Sequence, residues 1–332
     1  MKKLVIYPIA LVLLSWTPFS LADTSDLQTG LTFYDAGQYQ EAFGSLLKAA
    51  KENDAQAQFL VGKMYESGQG VEQNFIPAAQ WYLKAAEQKN IDALYHLGMM
   101  YYHGKGVALH YEGAVEYLLQ AAEQGYAKAQ YQLGVMSYYN QGLARNMEYV
   151  EQWLGKAAQQ GFTDAQQMLR LIYRDKEGSQ NYEQLVGWVE NTAKAGDAKA
   201  QVLLAILYYQ GEGVKKDFTQ AINWYEKAAT QGNSVAQYSV GRMYWLGEGT
   251  DKDGEQAKQW LLKAAQQDVP DAQFLLGKLY AETEPQNLVQ AYRWLSLAEM
   301  WMDNVTELKE KVKAQLSPEQ LAEAEKLIKS SN

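Results

Sequence analysis

GEGVKKDFTQAINWYEKAATQGN, residues 211–233, has two near-copies upstream: GQGVEQNFIPAAQWYLKAAEQKN at 68–90 and GKGVALHYEGAVEYLLQAAEQGY at 104–126. With Gly62 as an origin, glycine returns at Gly98 and Gly134, 36 residues apart each time, and again at Gly241 and Gly277. Arg170 and Ala205 fill the intermediate slots. Three residues past each origin stand Tyr65, Tyr101, Ser137, Tyr173, Tyr208, Tyr244 and Tyr280. Nineteen past come Trp81, Tyr117, Trp153, Trp224 and Trp260, with Trp188 one residue early. A fixed period of this length marks an array in which each unit buries the apolar face of its neighbour.

Each unit holds two helical stretches. In DALYHLGMMYYHG (92–104), Ala93, Leu97 and Tyr101 recur four apart on one helix face. In DFTQAINWYEKAATQG (217–232), Ala221, Trp224, Tyr225 and Ala228 form one stripe. Gly-x-Gly between them supplies the backbone angles of a tight turn. Asn74, His110, Asn146, Asp217 and Asp253 share one slot before the second helix, and four of the five are strong N-cap types. Gly125, Gly161, Gly196 and Gly232 read as C-terminal stops. No stretch alternates with the period of a strand.

The string A-x-x-x-L-G-x-x-Y-x-x-G-x-G-V, then Asp or Asn, then A-x-x-W-x-x-K-A-A-x-x-G, resembles the Sel-one-like repeat, a longer relative of the tetratricopeptide repeat. The likeness runs over about residues 27–300. It implies an all-α, right-handed α/α superhelical solenoid of about eight tandem helix-turn-helix repeats, whose first helices line a concave face that holds other proteins. Residues 23–54 are expected to cap the array as a tetratricopeptide-like unit, 55–298 to form the repeat body, and 299–332 to supply capping helices. In the last of these, Ser317, Pro318 and Gln320 have the spacing of an N-cap, first-turn proline and capping-box partner. Two units depart from the pattern. The unit at 163–197 has Arg170 in the glycine slot and one residue fewer, and the unit after Gly277 replaces the glycine turn with ETEPQN (282–287).

The chain begins MKKLVIYPIALVLLSWTPFSLA, a basic start, a short apolar run and a small-x-small end, which predicts a signal peptide over residues 1–22 and export. The apolar run falls short of a membrane span, and the absence of Cys excludes a lipoprotein anchor and any disulfide. Removing Lys2 and Lys3 leaves 28 basic against 39 acidic residues, a net charge of −11. Such a surface repels phosphate backbones, so nucleic acid is a poor partner.

Catalytic and metal motifs find no support. Ser45-Leu46-Leu47-Lys48 has the S-x-x-K form, but Ser45 stands in the Trp81 slot and no companion motif follows. The Gly-x-Gly turns follow no strand and lack a phosphate-loop ending. His96, His103 and His110 are the only histidines, spaced seven apart, too far along a helix to converge on one ion. No cofactor is expected.

One set is a candidate for binding. Four past each origin lie Tyr102, Tyr138, Tyr209 and Trp245, with His103 and Tyr139 one residue further. Tyr and Trp bury large area at low entropic cost, so an exposed ladder of them would grip a protein or peptide segment. The competing reading packs the same rings into the next repeat. The sequence therefore predicts a non-catalytic protein-interaction scaffold of the bacterial cell envelope, periplasmic or else secreted. A cell-wall-active or β-lactam-binding enzyme and a secreted host-interaction factor stand as alternatives.

Overall fold

The computed structural model describes residues 24–174, 180–283 and 286–330; the expected signal peptide lies outside these. The chain divides into two compact units, with the boundary between Asn146 and Met147. The first carries α1 (Thr24–Asp35), α2 (Tyr39–Lys51), α3 (Ala55–Ser67), α4 (Phe75–Glu87), α5 (Ile91–His103), α6 (Tyr111–Glu123) and α7 (Ala127–Tyr138). The second begins with α8 (Met147–Gln159), α9 (Thr163–Arg174), α10 (Gln180–Lys194), α11 (Ala198–Gln210) and α12 (Phe218–Thr230). It continues with α13 (Ser234–Leu246), α14 (Gly254–Ala265), α15 (Pro270–Glu282) and α16 (Leu288–Glu299). A single 3-10 turn (Asp303–Val305), α17 (Thr306–Lys313) and α18 (Pro318–Lys329) complete it. There is no strand among the described residues, so the all-α reading holds.

The repeating glycine marks where paired helices cross, and the crossing is too close for a side chain. A Cβ built on Gly62 would lie 2.7 Å from the Tyr82 ring, on Gly98 2.8 Å from Leu118, on Gly241 2.6 Å from Leu261 and on Gly277 2.8 Å from Leu295. Alanine lines the rest of these seams: Ala78, Ala85, Ala114, Ala121, Ala221, Ala228, Ala257 and Ala264 are fully buried. Glycine on the first helix, facing one large residue flanked by alanines on the second, gives dense packing without strain.

Among the described residues five of the turns close the same way, while in the turn after α7 the Asn146 N–H reaches the Ser137 hydroxyl at 3.4 Å. The N–H of the cap residue donates to the carbonyl of the third-position tyrosine: His110 to Tyr101 at 3.0 Å, Asp217 to Tyr208 and Asp253 to Tyr244 at 2.9 Å. Asn287 donates to Tyr280 at 3.0 Å, so the shortened turn after α15 closes by the same bond despite its different sequence. The side chains of Asn74, His110, Asp217 and Asp253 then accept from first-turn amides of α4, α6, α12 and α14. His110, the odd member by type, does so through Nδ1, 3.2 Å from the Gly113 N–H. Ser317, Pro318 and Gln320 form the expected capping box of α18. That helix, α17 and the 3-10 turn bury Val305, Val312 and Ala324 against Ala291, Leu295 and Ala298 of α16.

The stop after the second helix needs a left-handed residue, which Gly125, Gly161, Gly196 and Gly232 provide at φ of 90°, 83°, 102° and 89°. Lys89 and Asp268 occupy the same slot with φ of 62° and 57°. A side chain there costs about 1 kcal/mol over glycine, so Lys89→Gly is expected to stabilise the first unit by about 0.5–1 kcal/mol, read as a raised urea midpoint at unchanged slope.

Candidate functional site

The ladder residues sit at the last turns of the first helices of each pair, where the left-handed residues Gly104, Gly211 and Gly247 end α5, α11 and α13. In the first unit, Tyr102 is half-buried, its hydroxyl donating 3.0 Å to Gln141 Oε1 in the turn of the following repeat. Its ring meets Tyr111, with centroids 5.5 Å apart, and stands edge-on to the exposed His103 at 4.9 Å. Tyr138 is half-buried beneath the Arg145 guanidinium at 4.9 Å and stands edge-on to Tyr139 at 5.1 Å. Tyr139 is 63% exposed.

In the second unit, the Tyr209 hydroxyl donates 2.9 Å to Glu248 Oε2, in the turn of the following repeat, and accepts from Arg242 Nη2 at 3.0 Å. Trp245 is half-buried against the Ala257–Leu279 core with the Lys278 ammonium 5.0 Å from its ring, and its neighbour Leu246 is 47% exposed. The rings thus divide by role. The hydroxyls of Tyr102 and Tyr209 tie each repeat to the next, while His103, Tyr139 and Leu246 present themselves to solvent.

The middle residue of the turn does more than the sequence indicated. Gln141 and Glu248 receive the ladder tyrosines, and Glu212 receives three donors: Arg170 Nε at 2.6 Å, Arg170 Nη2 at 3.1 Å and the Tyr182 hydroxyl at 2.7 Å. Arg170, which stands where other repeats have glycine, therefore reaches past its own pair into the turn after α11. That turn residue carries the ladder's geometry from one repeat to the next.

The three histidines lie in different surroundings. His110 is a helix cap and His103 an exposed ring. His96 Nδ1 lies 3.1 Å from Glu66 Oε2, which also accepts from the Tyr82 hydroxyl at 2.5 Å. The bond to His96, then that from Tyr82, hold the Glu66 carboxyl below the usual carboxylate range against the opposing effect of burial. A carboxylate depressed in the folded state stabilises it above its unfolded pKa of about 4.3 and ceases to as pH falls through the folded value. The stability difference between the natural chain and Glu66→Gln is therefore expected to be present at pH 7 and to shrink as the pH falls through the depressed folded value, measured by urea unfolding at each pH. Among the described residues no three His, Asp or Glu side chains converge as a metal site, and no helix is long and apolar enough to cross a membrane.

One recurring group escaped the sequence reading. Four residues before each origin stand Gln58, Gln130, Gln166, Gln201, Gln237 and Gln273, all at most 5% exposed. Their Nε2 groups donate to the carbonyls of Ala50, Ala122, Ala158, Ala193, Ala229 and Ala265 at 3.0–3.2 Å, satisfying the end of the preceding helix. Three of them accept from a glutamine just past the second helix of the same pair: Gln58 from Gln88, Gln201 from Gln231 and Gln237 from Gln267, at 2.7–2.8 Å. Leu94 holds this slot in the one exception, and Gln124, deprived of its acceptor, bonds Gln120 O instead. The 36-residue recurrence of Gln was the available signal. Glutamine reads as a surface residue, and so its burial was missed.

The matched stretches of the Sel1 repeat family model are residues 55–90, 91–126, 127–162, 198–233, 234–269 and 270–300. They skip 163–197, the unit in which Arg170 replaces glycine, and begin at residue 55. The fold is similar to that of c5321, a protective antigen present in uropathogenic Escherichia coli strains displaying an SLR fold, with 31% identity over 93% of this chain and 68% of that one and a TM-score of 0.70. It is also similar to a Sel1 repeat protein from Oxalobacter formigenes, with 28% identity over 82% of this chain and 96% of that one and a TM-score of 0.55. No curated protein matches the chain.

Proposed function

Because the chain belongs to the Sel1 repeat family, whose members are generally protein–protein interaction scaffolds, we propose that it is an exported, non-catalytic adaptor of the bacterial cell envelope that holds a partner protein on its aromatic helix ends. The observation that carries this reading is the pairing of fixed and free groups. Tyr102 and Tyr209 are anchored through their hydroxyls to Gln141 and Glu248, while Tyr139 and Leu246 stand 63% and 47% exposed beside anchored neighbours. A ring already held in place loses little entropy on binding, which is what a recognition surface needs. The net acidic surface favours basic or neutral partners. The basic, apolar and small-residue order of the first 22 residues supports export. That c5321 is described as a protective antigen accords with a location outside the cytoplasm.

The test is photo-crosslinking in cells, with a benzoyl-phenylalanine residue at Tyr139 or at Leu246. A discrete adduct in the envelope fraction that is lost from the folded fraction of Tyr138→Ala/Tyr209→Ala supports the adaptor. Loss of folding in that double variant with the adduct retained in its folded fraction would show the rings to be packing elements only. Purified chain that turns over a chromogenic β-lactam or peptidoglycan would establish an enzyme instead.

A further inference from the structure

Acidic residues outnumber basic ones along the chain, yet two stretches of the first unit hold none. Residues 93–111 and 124–146 contain no Asp or Glu. Each stretch includes the turn that follows a ladder helix, HGKGVALH at 103–110 and YNQGLARN at 139–146. The turns after α3, α11 and α13 differ. Glu72 stands in the first of them, Glu212 and Asp217 in the second, and Glu248, Asp251 and Asp253 in the third.

The fold joins the two acid-free turns. Tyr102, just ahead of the first, donates its hydroxyl to Gln141 of the second at 3.0 Å. Gly142 packs on Tyr111, where a Cβ would lie 2.6 Å from the carbonyl carbon. The same two turns expose His103, Lys105, Leu109, Tyr139 and Arg145. Both cations lie over rings, Arg145 4.9 Å from the Tyr138 centroid and Lys105 5.6 Å from that of Phe75. Among the described residues no carboxylate lies within ion-pair distance of either. The flanking acids are already engaged. Glu66, which also senses the Lys105 charge, accepts from Tyr82 and His96, and Glu112 lies 3.6 Å from His110 Nε2. A guanidinium lying over a ring keeps its N–H edge for an acceptor, and that fork matches a carboxylate.

We propose that this patch docks an acidic segment of the partner protein, with carboxylates on Arg145 and Lys105 and apolar side chains on Tyr139 and Leu109. Charge selects the occupant. A peptide carries carboxylates and apolar side chains together. A polyanion such as nucleic acid or an anionic lipid surface meets the repulsion of the chain's net negative charge, which a neutral or basic protein escapes. The proposal rests on the adaptor reading and gives its partner a chemistry: neutral or basic as a whole, acidic where it touches the first unit.

The experiment is fluorescence polarisation of full-length protein with three labelled peptides. One alternates glutamate with leucine and phenylalanine, and its twins carry glutamine or lysine in place of glutamate. The glutamate peptide should bind about tenfold tighter than either twin, with the difference shrinking as salt rises. Lys105→Gln/Arg145→Gln, changed at two exposed positions, should weaken it about tenfold, read on the folded fraction. Lys252→Gln, at an exposed lysine of the second unit, should leave it unchanged. Absence of binding, equal affinity for the three peptides, or full binding by the double variant would overturn the proposal. So would phosphatidylglycerol vesicles that displace the glutamate peptide, since the occupant would then be a lipid surface. A Tyr139 adduct in cells without charge preference among the peptides would remove the acidic assignment and leave the adaptor standing. A glutamate peptide that binds while no adduct forms would do the reverse.

Discussion

Gly106→Ala is expected to destabilise the first unit by about 3 kcal/mol. Gly106 is the second glycine of its turn and has a φ of 72°, a conformation that costs a side chain about 1 kcal/mol. Its position is also occupied from the other side. A Cβ there would fall well inside van der Waals contact with the carbonyl of Phe75, the first residue of α4 in the preceding repeat, and 2.9 Å from the Phe75 Cβ. Backbone cannot rotate away as a side-chain tip can, so overpacking adds about 2 kcal/mol. Gly125→Ala is the matched control: its φ is 90°, yet nothing lies within 4 Å of its Cβ position. That change should cost only about 1 kcal/mol. Urea unfolding followed by circular dichroism separates the two, and equal losses would remove the repeat-to-repeat contact from the explanation.

Gln237→Ala should cost about 3 kcal/mol in the second unit. It removes one bond from the Ala229 carbonyl and one from the Gln267 amide, 3.1 and 2.7 Å long, leaving each its bond to the Gly232 backbone, and opens a cavity at a position 5% exposed. Gln237→Leu should cost roughly half as much, because leucine fills the space as Leu94 does in its own repeat. Gln267 then has a local alternative of the kind Gln124 takes with Gln120 O. If leucine proved as damaging as alanine, the polar bonds would outweigh packing in this slot. If alanine were harmless, the glutamine chain would contribute nothing.

Much of the fold was legible because its devices are local. A glycine at a helix crossing, an Asp or Asn before a helix, and a serine–proline–glutamine start are each written in adjacent residues, and Gly98, Asp217 and Ser317 do what their spacing implies. The candidate site was half legible. The period located Tyr102, Tyr138, Tyr209 and Trp245 at equivalent helix ends, but their partners lie 39 residues on for Tyr102 and Tyr209, in turns whose middle residue varies between Gln and Glu. A hydroxyl's destination at that distance depends on how repeats stack, which no local pattern encodes. The register of α16 was hidden for a related reason. The turn before α16 has two fewer residues than its counterparts, so a 36-residue count passes over it, and only the contact of Leu295 with Gly277 restores the register.

The central physical statement is that each repeat is stable through its neighbours, by glycine seams, turn contacts and the glutamine chain. Excision of residues 234–269, one whole matched repeat inside the second unit, tests it most directly by equilibrium urea unfolding. The prediction is a chain that keeps its helical signal per residue and still unfolds cooperatively, with both the denaturant slope and the midpoint reduced, as nearest-neighbour coupling requires. An unchanged midpoint, with the rest of the unit indifferent to the loss, would contradict it.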